Sequence, residues 1–545
     1  MGFLTRVEDR PTPSAVYNWR LWVLSFIASF ASIMIGYDSA FIGGTLALPS
    51  FIKSFGKLGP NTSGNLVSTY QAGAFFGAFM AHPIGHFLGR KKGLFITSVI
   101  FTIGAAIMTA ASPSTRLTPI FVGRAIAGLA IGAASNLTPI YISEIAPAPA
   151  RGQAVGIYEI GWQIGGLVGF FINYGVIQTV APSVTQWRIP FAVQLIPGGM
   201  FMIGCFFLVE SPRWLLSRGR VEEARQKLSY IRHLPVDDPY FVEEFNQMKF
   251  AIEENTRIAG GDSYFAPFKY VFKRKDLVRR LAFASSLFAF QNGTGINAIN
   301  YYSPTVFRSL GITGTSTGLL GTGIFGVIKT IGSLVFIFFL VETVGRRRLL
   351  MISSSGGAIS MYVIAGYIAI AKPVQNKKTS IDGAGAAALA FFYIWTGFYS
   401  FGWNPLPWVY GSEAFDNTAR PVAGICMAAS NWLYNFAISQ ATPHMFIRMG
   451  FGVYIFFASC MVVSVVWIFF LMPETKGIPI EEMDNLHEKR PQRHAHAMVI
   501  EELRTKAAER RGETVLAANN EGYQQSDAAS STEKEDNNQV KLNTA

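Results

Sequence analysis

Four ionisable residues, Asp38, Arg124, Glu159 and Lys329, sit inside long apolar runs. A charged side chain at the centre of a membrane helix costs about 2.5–3.5 kcal/mol on insertion scales, so such residues usually face a cavity or a partner. Asp38, flanked by apolar neighbours, is a group whose charge can change as a cavity alternates between two sides. Arg124 can hold it when deprotonated and release it when protonated; a static buried ion pair is the other reading. Lys329, within the apolar stretch 321–341, can bind a carboxylate, neutralise Glu159, or snorkel if it lies near a helix end. A second group, Gln291, Asn292, Asn297, Asn431, Tyr302 and Trp408, supplies amides and an aromatic face. Each desolvated hydroxyl left unpaired costs about 1–3 kcal/mol, so this inventory suits a polyol. Amide bonding between helices is the alternative, above all for Asn431 and Asn435.

These side chains need a membrane scaffold to hold them. The chain has 545 residues, of which 50% are hydrophobic and only 15% charged, against about 25% charged in a soluble protein. About 20 apolar residues cross a bilayer, so a dozen crossings need about 240. Hydropathy predicts helices at 21–45, 66–88, 93–112, 118–142, 154–175 and 189–209, then at 281–304, 318–341, 349–371, 384–411, 420–443 and 452–472. The expected fold is an all-α membrane protein with twelve transmembrane helices in two six-helix halves, 21–209 and 281–472. A helical loop, 210–280, joins them, flanked by an N-terminus, 1–20, and a tail, 473–545. The tail is expected to be largely disordered, because its charged and small polar residues cannot pack a core. Fourteen Lys or Arg in the central loop place it, and with it both termini, in the cytosol. Asn61-Thr62-Ser63 is a glycosylation sequon in the first outer loop, which makes Asn61 the candidate acceptor.

The same features exclude other classes. A net charge of +12 reads as positive-inside anchoring beside membrane lipid, with no nucleic-acid partner. No phosphate-binding loop supports ATP-driven pumping. The seven histidines form no metal cluster or catalytic triad, so neither an enzyme nor a metal or cofactor is expected. Cys205, Cys426 and Cys460 read as small buried hydrophobes.

The chain also repeats itself. Gly89-Arg90 recurs as Gly345-Arg346, 256 residues on; Glu144 and Arg151 recur as Glu413 and Arg420, 269 on; Glu210, beside Arg213, is answered by Glu474, 264 on. With six helices per half, this is a parallel repeat, which places a site between the halves near the bilayer midplane. Arginines at the inner helix ends can pair with Glu144, Glu210, Glu413 or Glu474 when the inner face is closed and part when it opens. Simple anchoring by positive charge is the alternative.

Across 20–480 the sequence resembles the sugar porter family of the major facilitator superfamily. The resemblance rests on Gly36-Tyr37-Asp38, Arg124-Ala125-Ile126-Ala127-Gly128, Val209-Glu210-Ser211-Pro212-Arg213-Trp214, Gln291-Asn292-Gly293-Thr294-Gly295-Ile296-Asn297 with Tyr301-Tyr302, Trp403-Asn404-Pro405-Leu406-Pro407-Trp408, Asn431-Trp432 with Asn435, and Pro473-Glu474-Thr475-Lys476-Gly477. Tyr158-Glu159-Ile160-Gly161-Trp162-Gln163 and Gly402-Trp403-Asn404-Pro405 are most similar to the fungal quinate permeases. That resemblance implies a plasma-membrane importer of quinate, a cyclic polyol carboxylate, with a proton. It also implies Asp38 and Arg124 as the coupling pair and Gln163, Gln291, Asn297 and Trp408 among the substrate contacts. Two departures stand out. His86 replaces the acidic residue three before Gly89, whereas Glu342 is kept before Gly345, so gate pairing is expected to be lopsided. Glu159 and Asn292 replace two glutamines of the family, which argues against a standard hexose site. A hexose or other polyol carrier and a non-transporting nutrient sensor are the alternatives.

Overall fold

The computed structural model describes residues 12–261, 263–312, 314–340, 343–376, 382–479 and 482–510, without the side chains of 506–510. Two compact units divide the chain, 1–469 and 470–545. The first contains α1 (Trp19–Leu46), α2 (Pro60–Pro83), α3 (Arg90–Thr109), α4 (Thr118–Ile145), α5 (Arg151–Thr179) and α6, which is broken into Val184–Val193 and Leu195–Phe207. Its second half has α7 (Lys275–Gly293 and Ile296–Ser309), α8 (Thr315–Val335), α9 (Arg346–Ala371), α10 (Gly383–Phe401 and Leu406–Glu413), α11 (Arg420–Met449) and α12, Gly452–Leu471, whose end enters the second unit. Each expected span has its helix. At α2, Pro60 at the first turn starts the helix early. Asn61 therefore lies in that first turn and not in a loop as the sequence suggested.

Among the described residues, nine helices are long and apolar enough by themselves to cross a membrane. The three expected spans that fall short are α2, α7 and α11. Their buried faces carry Ser68 and Gln71, then Gln291, Asn292, Asn297 and Asn300, then Asn431, Asn435 and Ser439. These polar faces turn inward, where a partner or a cavity satisfies them.

Close approach of small residues sets the packing within the first half. A Cβ at Gly128 or Gly132 of α4 would fall on the Tyr70 or Ala74 carbonyl of α2, and one at Gly36 of α1 on the Trp162 carbonyl of α5. Such contacts replace the hydrophobic driving force that helices lack in lipid. Gly132→Ala is expected to destabilise the fold by about 1–3 kcal/mol, the usual cost of overpacking. Gly175→Ala, at a position with nothing within 4 Å of the added carbon, is the control. A lower melting temperature of the detergent-solubilised Gly132 variant alone is the expected result.

The central loop is helical as expected, over Pro212–Ser217, Val221–Arg232, Pro239–Ala259 and Ala266–Lys273. Leu215, Leu228, Phe241 and Phe245 form its own small core. The second unit departs from the expectation of disorder. It has helices at Met483–Glu488 and Gln492–Arg510, joined by a cluster of Ile478, Met483, Leu486, Ala495 and Val499. The apolar residues recur at helical spacing, which the average composition concealed. Residues 511–545, also within that expectation, lie outside the described residues.

Candidate functional site

Two helix breaks build the site. Gly295 interrupts α7 at φ +90°, a conformation natural to glycine, and a Cβ there would meet the Phe457 ring. Gly402 to Pro405 interrupts α10, where Pro405 has no N–H to continue the ladder. The breaks meet. Gln291 Nε2 donates to the Trp403 carbonyl at 2.7 Å and to the Asn404 carbonyl at 3.2 Å, satisfying groups that the broken helix leaves free. Its amide oxygen is then the end it can offer a ligand.

Around these breaks lies a cavity lined by residues of both halves. The first half contributes Ser39, Glu159, Trp162 and Phe170, and the second Gln291, Asn297, Asn300, Tyr301, Lys329, Tyr399, Asn404, Trp408, Asn431 and Asn435. Of the expected substrate contacts, Glu159, Gln291, Asn297, Lys329, Trp408, Asn431 and Asn435 line it. Gln163, Asn292 and Tyr302 do not, a correction with a common reason: each supports a neighbour. Gln163 Nε2 donates to Glu159 Oε1 (2.8 Å), Asn292 Oδ1 accepts from Asn297 Nδ2 (2.5 Å), and Tyr302 Oη donates to the Ser439 carbonyl (3.0 Å). Sequence reasoning missed Ser39, Tyr301, Tyr399 and Asn404 as lining residues. Asn404 and Tyr301 stood inside motifs already singled out; Ser39 and Tyr399 gave no signal of their own.

The two charged cavity residues are held differently. Glu159 Oε1 also accepts from Asn404 Nδ2 at 3.1 Å, a bond from one half to the other. Lys329, 9% exposed, makes no hydrogen bond or ion pair among the described residues. Mutual neutralisation of Glu159 and Lys329 by a direct ion pair is therefore not the arrangement seen. Trp408 is braced edge-on by Phe288, with ring centroids 4.6 Å apart.

Deeper in the first half, Arg124 Nη1 donates to Asp38 Oδ1 at 3.1 Å, and both side chains are wholly buried. Asp38 Oδ2 and Arg124 Nε have no hydrogen-bond partner among the described residues. A buried pair joined by one bond, with polar atoms left over, is a costly arrangement that a change of protonation can tip.

At the loop-side ends of the helices, Arg90 pairs with Glu144 (2.7 Å) and Arg346 with Glu413 (2.7 Å), the same contact in each half. Other expected gate residues behave otherwise. Glu210 receives no arginine side chain among the described residues; it caps α3 by accepting from the backbone N–H of Arg90 (2.8 Å) and Lys91 (3.2 Å). Burial still pushes its carboxyl above the usual range, against the pull of those bonds. Arg420 donates to Asn417 Oδ1 and the Phe415 carbonyl, and Arg151 and Arg213 have no ion pair among the described residues. Within the second unit, Glu474 accepts from the backbone of Thr475 and Lys476. Glu342 lies outside the described residues.

On the face remote from the central loop, α2 and α11 are bonded across the halves. Gln440 Nε2 donates to Asn65 Oδ1 (2.7 Å), Gln440 Oε1 accepts from Ser68 Oγ (2.7 Å), and Asn61 Oδ1 lies 2.7 Å from His444 Nε2.

Residues 24–487 match the family described as "Sugar (and other) transporter". The chain is 53% identical over 508 residues to a quinate permease of Emericella nidulans, covering 92% of this chain and 95% of that protein. It is 54% identical over 510 residues to a probable quinate permease of Neosartorya fischeri, covering 92% and 94%. Among solved structures it is similar to the proton:xylose symporter XylE bound to 6-bromo-6-deoxy-D-glucose, with TM-score 0.69, 26% identity and coverage of 86% and 99%. It is also similar to a partially occluded inward open form of the xylose transporter XylE from E. coli, with TM-score 0.68, 25% identity and coverage of 85% and 100%.

Proposed function

We propose, for a chain that belongs to the sugar (and other) transporter family, that this multi-pass membrane transporter imports quinate with a proton by alternating access. The observation that carries the reading is Lys329, an ammonium with no hydrogen bond or ion pair among the described residues, in a cavity lined besides by amides, aromatic rings and the Glu159 carboxylate. A cyclic polyol carboxylate presents the complement: one anionic end and a ring of hydroxyls. Lys329 binds the carboxylate, while Gln291, Asn297, Asn431 and Asn435 exchange hydrogen bonds with hydroxyls and Trp408 covers the ring face. Glu159 holds its neighbouring amides in place from the other half, supported by Gln163 as Asn297 is by Asn292. The relatives named as quinate permeases support the substrate.

Asp38 and Arg124 couple the proton. Arg90–Glu144 and Arg346–Glu413 organise each half at its cytosolic end, where Arg151, Arg213, Glu210 and Arg420 take part in closing the inner face. In this reading the protein lies in the plasma membrane with both termini in the cytosol, and Asn61 faces outward, available for glycosylation.

Labelled quinate uptake in a transport-deficient yeast tests the function, at two external pH values and with excess unlabelled glucose. Uptake that rises at acid pH and ignores glucose is the expected result. Competition by glucose, or carriage of glucose instead, would make this a sugar carrier. A protein at the cell surface that carries neither would restore the sensor reading.

A further inference from the structure

The Asp38–Arg124 pair does not itself line the cavity, so a change of charge there needs a physical route to the ligand. Arg124 Nη2 donates to the Val67 carbonyl of α2 at 3.2 Å. The same carbonyl receives the amide nitrogen of Gln71, one turn along α2, in the orientation that satisfies both ends of that amide. The Gln71 oxygen then accepts from Tyr301 Oη at 3.0 Å. Tyr301 lines the cavity beside Ser39 and Asn435. Gln71 and Tyr301 are almost fully buried, at 0% and 1% exposure, so water does not compete for these bonds.

A second contact converges on the same residue. A Cβ at Gly43, five residues after Asp38 on α1, would fall on the Tyr301 carbonyl. Tyr302, next along α7, has non-helical backbone angles (φ −127°, ψ 23°). Tyr301 thus sits at a bend pressed by the helix that carries the carboxylate.

Resting on the proton-coupled reading above, we propose that Gln71 and Tyr301 form a relay that transmits the state of the Asp38–Arg124 pair to the substrate cavity through the shared Val67 carbonyl. With Asp38 ionised, Arg124 is held between the carboxylate and that carbonyl. A proton on Asp38 releases the guanidinium and changes the competition for Val67. The Gln71 amide shifts in response, and the Tyr301 hydroxyl exchanges its acceptor for one in the cavity. Gln71 is a positioning residue here: it touches neither proton site nor substrate. The charged or titratable groups facing Asp38 are Arg124, Tyr37 and Tyr70; those near Tyr301 are Tyr70, Tyr302, Tyr399 and Arg124.

The test uses the full chain in proteoliposomes and two readouts, quinate exchange without a gradient and quinate accumulation under an imposed pH gradient. Gln71→Met, close in shape, is expected to keep exchange near the wild-type rate and to lose at least about fivefold in accumulation, the lower end of typical coupling between sites. Gln71→Asn, which keeps an amide, is expected to recover part of that loss. Tyr301→Phe is expected to lower the ratio of accumulation to exchange in the same way, and this ratio reports even if exchange itself falls. Asp38→Asn separates the two ideas. If it abolishes accumulation while both Gln71→Met and Tyr301→Phe accumulate as the wild type does, the relay is wrong and the coupling pair stands. If wild-type accumulation ignores the pH gradient, the coupling reading fails and takes the relay with it.

Discussion

Lys329→Met is expected to reduce quinate uptake, read as kcat/KM, by between about thirtyfold and several thousandfold. That range corresponds to the 2–5 kcal/mol typical of truncating one partner of a buried, hydrogen-bonded charge pair. The pair in question forms only with substrate, because Lys329 makes no ion pair among the described residues and Glu159 is bonded to Gln163 and Asn404. Lys329 is buried in the cavity without a direct ion pair among the described residues, and methionine of similar length removes the cost of burying that charge. The variant should fold and reach the membrane at least as well as the wild type, and a tagged protein verifies this. Glu159→Gln is expected to change uptake far less, since a glutamine oxygen still accepts both bonds. A neutral quinate ester separates the roles: its transport should survive in the Lys329 variant. Equal loss of acid and ester, with an equally deep loss for Glu159→Gln, would instead mean that the two residues serve the fold by neutralising each other.

The contrast between these two residues also shows where a sequence stops being readable. That Lys329 and Glu159 were unusual could be seen directly, because a charge in an apolar run is costly wherever it points. Whether they met could not be seen, since that depends on the α10 break placing Asn404 within hydrogen-bonding distance of Glu159. The same limit explains Tyr301 and Tyr302. Adjacent tyrosines in one motif are indistinguishable by type, and only the bend at Tyr302 sends one to the cavity and the other to the Ser439 carbonyl. The repeat was legible, and it does yield matched pairs, Arg90–Glu144 and Arg346–Glu413. Glu210 looked like another gate partner because its charge was visible, whereas the free N–H groups at the start of α3 that claim it exist only once the helix ends there. The polar faces of α7 and α11 reversed the usual logic, since two of the three weakest membrane signals belong to helices that line the cavity.

Asp38→Asn is expected to abolish accumulation while leaving exchange intact, and the reasoning fixes a further sign. Quinate carried as an anion with one proton moves no net charge. Its accumulation ratio then follows the pH gradient, about tenfold per unit because one unit is worth 1.36 kcal/mol, and ignores the membrane potential. Asparagine is a neutral stand-in for protonated Asp38 that cannot give its proton up. It leaves Arg124 without its carboxylate, as protonation would, in a site where both groups are wholly buried. A variant that still carries the anion does so alone, against an interior-negative potential worth about 2.3 kcal/mol per charge per 100 mV. That opposes entry by about fiftyfold. Proteoliposomes clamped with potassium and valinomycin read the difference. Wild-type uptake should be indifferent to voltage and steep in pH, and the variant indifferent to pH and depressed as the interior is made negative. A variant that keeps the pH-driven accumulation of the wild type would remove Asp38 from the coupling step and place the proton elsewhere in the cavity, with Glu159 the next carboxylate to test.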